Sequence, residues 1–139
     1  MVNVVLSLAA LFLSIALLIG GSAMLGTLVS LRLELEGFAE TSIGLILAFY
    51  SIGFVMGATW GSAVIRSVGH IRAFSTYAAI ACAVTLLHPL WVSEYAWAAM
   101  RLVMGFCLAG LMTVTESWIN DRATNESRGK LLGLYTINF

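Results

Sequence analysis

The chain has 139 residues, of which 60% are hydrophobic and only 10% are charged. A soluble domain carries about 25% charged residues, so this chain has too few polar side chains to cover a surface that faces water. The composition excludes a disordered chain and predicts a protein whose partner is the lipid bilayer. Seven basic residues balance seven acidic ones, so we expect no nucleic-acid partner, which would require a basic surface.

Four segments are long enough to cross a bilayer as helices. The hydrocarbon core is about 30 Å thick and needs roughly 20 apolar residues per helix. The segments that meet this length are residues 4–31, 43–65, 73–93 and 95–115. Continuous apolar runs exclude the alternating strands of an outer-membrane barrel, and helices satisfy their own backbone hydrogen bonds in lipid. The sequence therefore predicts an all-α, polytopic transmembrane bundle.

The distribution of basic residues predicts the orientation of these spans. The first loop holds Arg32 alone, whereas Arg66 and Arg72 flank the second loop, and further basic residues follow the fourth span. Cytoplasmic loops carry an excess of Lys and Arg. We therefore expect the N-terminus and the second and fourth loops on the cytoplasmic side of the inner (plasma) membrane. A cleaved signal peptide is disfavoured, because no basic residue precedes Arg32.

After Lys130 the chain becomes apolar again and then stops at Phe139. Nine residues extend about 13 Å as a helix, which is less than half of the bilayer. This pattern predicts a truncated fifth span from residue 130 and therefore an incomplete chain. A short tail lying in the membrane interface is the alternative.

Small residues recur every four positions on three of the predicted helices. The clearest stripe is on the second helix, at Gly53, Gly57 and Gly61. Small residues at this spacing let two membrane helices approach closely. Shorter stripes follow on the first and fourth helices, at Ser22, Gly26 and Ser30 and at Gly105 and Ala109. These stripes predict helix packing, and by themselves they do not indicate a transporter.

Arg101 is the sharpest single signal, because it lies seven residues into the fourth predicted span. A charge facing lipid at that depth costs several kcal/mol. Arg101 must therefore reach out to the interface, pair with another group, or face an aqueous cavity. No carboxylate lies within any other predicted span. We favour a residue that lines a substrate cavity or takes part in coupling.

Several other residues with chemical potential are assigned structural positions. Cys82 and Cys107 lie in apolar stretches without a CxxC spacing, so they are expected to be small buried hydrophobes, with no disulfide or metal site. His88 precedes Pro89 and is expected to be an interfacial residue at a helix end. Glu116 is placed either to pair with Arg66 or to be a solvated carboxylate at the end of the fourth helix.

Taken together, these motifs resemble the N-terminal part of a major facilitator superfamily (MFS) transporter. The chain looks most like a bacterial subgroup of uncharacterised transporters with a similar second loop. The matching residues are Gly61, Arg66, Gly69 and Arg72 in the second loop, Arg101 and Gly105 in the Arg-x-x-x-Gly pattern of the fourth helix, and Arg128 and Gly129 before the fifth. The loop departs from the family pattern, because Ile65 or Arg66 replaces the usual Asp. Glu116 is a candidate for the missing carboxylate.

The resemblance implies that residues 1–139 form an incomplete N-terminal domain, with the first four of twelve helices and the start of the fifth. It implies alternating access between two six-helix halves, as an ion-coupled secondary transporter of an unknown small molecule. The missing C-terminal helices would be partners, and the second helix would slide on the opposite half through its glycine stripe. The implied cavity residues are Ser22, Gly26, Arg101 and Gly105. The implied cytoplasmic gate residues are Gly61, Arg66, Gly69, Arg72, Glu116, Arg128 and Gly129.

Two other functions remain as alternatives. A non-transporting membrane scaffold or assembly subunit would explain the glycine stripes but leaves Arg101 without a role. A four-helix dimeric multidrug antiporter needs a carboxylate within its first helix, and residues 4–31 contain none. An enzyme is not expected, because the sequence has no Ser/His/Asp grouping, metal-ligand cluster or phosphate loop. No cofactor is expected either.

Overall fold

The computed structural model describes residues 2–122 and 125–136. Those residues form five helices in chain order and contain no strand. The helices are α1 (Val2–Leu35), α2 (Glu40–Val68), α3 (His70–Leu87), α4 (Glu94–Arg122) and α5 (Asn125–Thr136). The first four are long and apolar enough to cross a membrane. The expected all-α, polytopic helical fold is confirmed.

Three helix bounds differ from the sequence expectation by five residues or more. α3 ends at Leu87, whereas the third apolar segment runs to residue 93. Pro89 explains the early end, because proline has no backbone N–H with which to continue the helical hydrogen bonds; His88 itself still has helical dihedral angles (φ −53°, ψ −46°). α4 continues to Arg122, beyond the apolar segment, and α5 begins at Asn125 rather than at residue 130.

Two glycines with positive φ separate the first three helices. Gly37 (φ 77°) follows α1 and Gly69 (φ 83°) is the single residue between α2 and α3. Residues other than glycine rarely adopt a positive φ. The Gly69 N–H still donates to the carbonyl of Ile65, 2.8 Å away. Gly69 therefore makes the short turn of the second loop, as the sequence predicts.

α4 is the central helix of the bundle. It is the most buried of the four candidate spans; α2 packs closely along it, and α3 packs against it less extensively. α1 has far fewer contacts with the others. Large apolar side chains cover the outer surface, including Leu17, Met24 and Trp60. Such a surface suits lipid rather than water.

The glycine stripe of α2 faces α4, not another half of a transporter, so that expectation is corrected. A Cβ added at Gly53 would overlap the carbonyl oxygen of Leu102, and one at Gly57 would overlap that of Phe106. Gly61 lies against the side chain of Thr113, 3.1 Å from the position of a Cβ. The two backbones thus touch directly, which is the purpose of small-residue stripes in membrane helices.

The cysteines divide between core and surface. Cys107 is buried on α4, as expected, whereas Cys82 is exposed on α3. The expectation of burial is therefore wrong for Cys82. Residues of α3 that face α4, such as Tyr77 and Ala81, are buried, and Cys82, the residue after Ala81, is turned about 100° away from that face.

We expect Gly53→Ala and Gly105→Ala each to lower bundle stability strongly, because the new methyl group would meet a carbonyl oxygen of the opposite helix, which cannot rotate away. Overpacking typically costs about 1–3 kcal/mol. Gly44→Ala is the matched control, since an added Cβ there has no neighbour within 4 Å. Unfolding midpoints in detergent, followed by circular dichroism, measure the effect. Equal midpoints for all three variants would contradict the α2–α4 contact.

Candidate functional site

Three helices converge on Arg101. The side chain belongs to α4 and is 6% exposed. Its guanidinium lies over the ring of Tyr50 on α2, 4.8 Å from the ring centroid. On the α1 side, Nη2 lies 3.5 Å from the position that a Cβ at Gly26 would occupy. A larger residue at position 26 would crowd the guanidinium, so Gly26 provides its space.

Two nitrogens of Arg101 lack polar partners in the described part of the chain. Nε and Nη1 are buried and have no hydrogen-bond partner among the described residues, and no described carboxylate forms an ion pair with Arg101. Burying an unpaired charge costs several kcal/mol. A desolvated cation–π contact contributes about 2 kcal/mol or more, so the contact with the Tyr50 ring offsets only part of that cost. Because the side chain is buried, it does not extend along the outer surface to the interface. The arrangement can bind an anionic group at the unpaired N–H groups.

The other two predicted cavity residues have different positions. Gly105 is one turn beyond Arg101 and lies against the carbonyl oxygen of Tyr50. It therefore helps to hold Tyr50 beside Arg101. Ser22 is buried in a separate cavity of about 420 Å³ between α1, α3 and α4, which Thr85 and Met104 also line. Arg101 is not among the residues that line this cavity.

His88 is a site residue that the sequence interpretation missed. It follows the last residue of α3, as expected, but it is buried (3% exposed) rather than facing an interface. Nδ1 lies 2.8 Å from the carbonyl oxygen of Val84, and the ring centroid is 5.9 Å from that of Trp97. Nε2 has no hydrogen-bond partner among the described residues. The one available signal was an ionisable residue beside a helix-ending proline.

His88 lines a cavity of about 390 Å³ between α1, the end of α3 and the start of α4; we name it the His88 cavity. Its walls are mainly apolar, with one basic residue from α1. The lining residues are Leu25, Leu28, Val29, Arg32, Thr85, His88, Pro89, Val92 and Trp97. Arg32 is half-exposed and forms an ion pair with Glu36 at 2.6 Å.

Of the two alternatives for Glu116, the pair with Arg66 is not observed among the described residues. Arg66, Arg72 and Glu116 are all exposed, and the described residues contain no ion pair between Arg66 and Glu116. The contact to α4 is made by His70 instead. Its Nε2 lies 2.9 Å from Ser117 Oγ and 3.4 Å from Asp121 Oδ2.

The two predicted gate residues of α5 lie on the surface. Arg128 is exposed and donates from Nη2 to the backbone oxygen of Asn120, 3.4 Å away, which ties the start of α5 to the end of α4. Gly129 is exposed and has open space around its Cβ position. Residues 123 and 124 lie outside the described part of the chain. So do residues 137–139, which form the end of the predicted fifth span. Within the described part, no group of three or more metal-ligating side chains occurs.

Four apolar spanning helices around a buried, unpaired arginine define the class: a multi-pass helical membrane protein. A family model described as Major Facilitator Superfamily matches residues 11–138. The chain therefore belongs to this superfamily, and the resemblance is confirmed.

Individual relatives agree with the family assignment. The chain is 30% identical over 113 residues to the uncharacterised MFS-type transporter YcaD of Escherichia coli strains O45:K1 and O81. The match covers 81% of this chain but only 30% of each relative. The chain thus spans about a third of the length of these curated relatives. No solved structure matches the chain.

We expect His70→Gln to loosen the α2–α3 turn, because it weakens the contacts with Ser117 and Asp121. One hydrogen bond contributes about 0.5–1.5 kcal/mol, so amide hydrogen exchange at the start of α3 should rise several-fold. Arg66→Gln is the control, since Arg66 is exposed and forms no ion pair within the described residues. Unchanged exchange in His70→Gln, or an equal rise in both variants, would show that His70 does not anchor the turn.

Proposed function

We propose that this chain supplies the first helices of a secondary transporter, which moves a small solute by alternating access between two halves. Membership of the superfamily supports the proposal, as does the printed description of the YcaD relatives as MFS-type transporters. The remaining helices would come from a longer polypeptide, since the match covers 30% of those relatives. The basic residues of the second loop support an N-terminus in the cytoplasm, in the inner membrane.

The observation that carries the proposal is the state of Arg101. It is buried among α1, α2 and α4, and two of its guanidinium nitrogens have no partner in the described residues. A helix that only packs against others gains nothing from such a group and bears its desolvation cost. A transporter uses it, because the unpaired N–H groups attract a solute or a coupling partner. Arg101 and Gly26 are therefore proposed to line the substrate cavity.

The packing of the helices fits a moving assembly. α2 and α4 touch backbone to backbone through Gly53, Gly57 and Gly105, so they form a stiff pair. α1 contacts this pair over a smaller surface. Alternating access is largely the rocking of rigid units around a fixed site. We propose that the α2–α4 pair is part of such a unit, with Gly61, Arg66, Gly69 and Arg72 at its cytoplasmic gate.

The 139-residue chain by itself is expected to give no solute accumulation, because a transport path needs a second half to close the cavity. Proteoliposomes holding the purified chain are incubated with a cell metabolite extract, and their contents are analysed by mass spectrometry. Empty liposomes are the control. Accumulation of any solute by the chain alone would contradict the proposal that it supplies only part of a transporter.

In a longer chain that carries these residues and does accumulate a solute, we expect Arg101→Ala to reduce uptake by about tenfold or more, since losing a charged contact costs about 1.5–3 kcal/mol. Glu94→Gln is the control, because Glu94 lies at the start of α4, away from Arg101. Equal amounts of folded protein are compared. Unchanged uptake in Arg101→Ala would favour a scaffold role for α4.

A further inference from the structure

Arg101 is not the only buried basic side chain that has an unpaired nitrogen among the described residues. His88 is also buried, and its Nε2 has no hydrogen-bond partner among the described residues. The two are linked through Trp97, whose ring contacts His88 and which precedes Arg101 by one turn on the same face of α4. A cation and a proton acceptor therefore lie along one side of α4.

The hydrogen bond of His88 fixes which nitrogen can take up a proton. A carbonyl oxygen only accepts, so Nδ1, which faces the oxygen of Val84 at 2.8 Å, carries a hydrogen. In the neutral ring Nε2 then has a free lone pair. Protonation at Nε2 would give the ring a positive charge and a second donor.

The surroundings of His88 oppose that charge. From α1, Arg32 lines the same cavity but is tied to Glu36; from α4, the charge of Arg101 acts on the imidazole. No carboxylate lines the His88 cavity among the described residues. His88 lies just beyond the end of α3, and its pKa is lowered, mainly by burial. The hydrogen bond to Val84 raises the pKa, and the positive charge of Arg101 lowers it further.

We propose that Arg101 and His88 form a joint site for one small anion, a carboxylate or a phosphate, and one proton. The anion binds the free N–H groups of Arg101, and the proton, taken from water on the His88 side, binds the lone pair of Nε2. In this step an O–H bond of a hydronium ion in that water breaks and the N–H bond at Nε2 forms. This assignment rests on the proposed function and names its substrate class and coupling ion.

Charge balance supports the pairing of one anion with one proton. The empty site carries one positive charge, on Arg101. With an anion bound and His88 protonated, the positive charges of both residues and the negative charge of a monovalent anion again sum to one. Loading therefore leaves the buried charge unchanged, which avoids the cost of burying an additional charge.

Binding of the two ligands must be mutually supportive. An anion on Arg101 removes the repulsion that opposes protonation of His88. By thermodynamic linkage, protonated His88 must then strengthen anion binding by the same factor. Neutralising Arg101 by substitution should act on His88 as a bound anion does.

The first test measures the protonation of His88 by NMR in nanodiscs that contain the 139-residue chain. His70 is the only other histidine, so the spectrum of His70→Gln identifies the His88 resonance. In Arg101→Gln we expect the proton affinity of His88 to rise about threefold or more, which is half a pH unit. Arg101→Lys, which keeps the charge, should titrate like the unsubstituted chain. Identical titrations in all three proteins would overturn the proposal.

The second test measures equilibrium binding of three probes, acetate, benzoate and inorganic phosphate, at about pH 6 and about pH 8, on either side of neutrality where histidine changes charge. We expect at least one probe to bind about threefold or more tightly at the lower pH, with the pH effect lost in His88→Gln and binding lost in Arg101→Gln. No binding of any probe, or binding without pH dependence, would overturn the assignment. Both tests measure binding rather than flux, so absent transport alone would refute only the proposed function.

Discussion

The direct contact between the α2 and α4 backbones is the constraint on which the rest of the bundle depends. Leu102 and Phe106 place their carbonyl oxygens where Gly53 and Gly57 would otherwise carry side chains, and Gly105 receives that of Tyr50 in the same way. In lipid the hydrophobic effect does not drive helices together, so close packing has to. Weak contacts from Cα–H groups to carbonyl oxygens are typical of such crossings.

The position of Arg101 follows from that crossing. Gly105 brings the Tyr50 segment of α2 against α4, and the Tyr50 ring then covers the guanidinium one turn away. On its other side Arg101 meets Gly26, where α1 has no side chain. α1 packs less closely than α2, and cavities of about 390 and 420 Å³ remain between α1 and α3. One side of α4 is thus in direct backbone contact with α2, whereas cavities remain where α4 faces α1 and α3.

The number and type of the helices could be predicted from the sequence, because span length and hydropathy are local properties of the chain. The spacing of Gly53, Gly57 and Gly61 likewise predicted a close contact, but not its partner: α4 rather than an opposite half. A stripe shows that a backbone approaches, and only the tertiary arrangement shows which one. The burial of His88 could not be predicted either. A histidine beside a proline at a helix end is equally consistent with the interface, and its cover by Trp97 depends on how α4 starts.

The second loop shows how a departure from a family pattern can be accommodated by a neighbouring helix. The sequence lacks the usual aspartate at position 65 or 66, and Glu116 does not replace it, since the described residues contain no ion pair between Glu116 and Arg66. The loop instead contributes a base, His70, and α4 contributes the carboxylate, Asp121, with Ser117 between them on the same helix face. Because His70 directly follows Gly69, the tight turn itself places the imidazole against α4. The polarity of the contact is reversed relative to a loop carboxylate, since the base follows the turn and the carboxylate lies on α4.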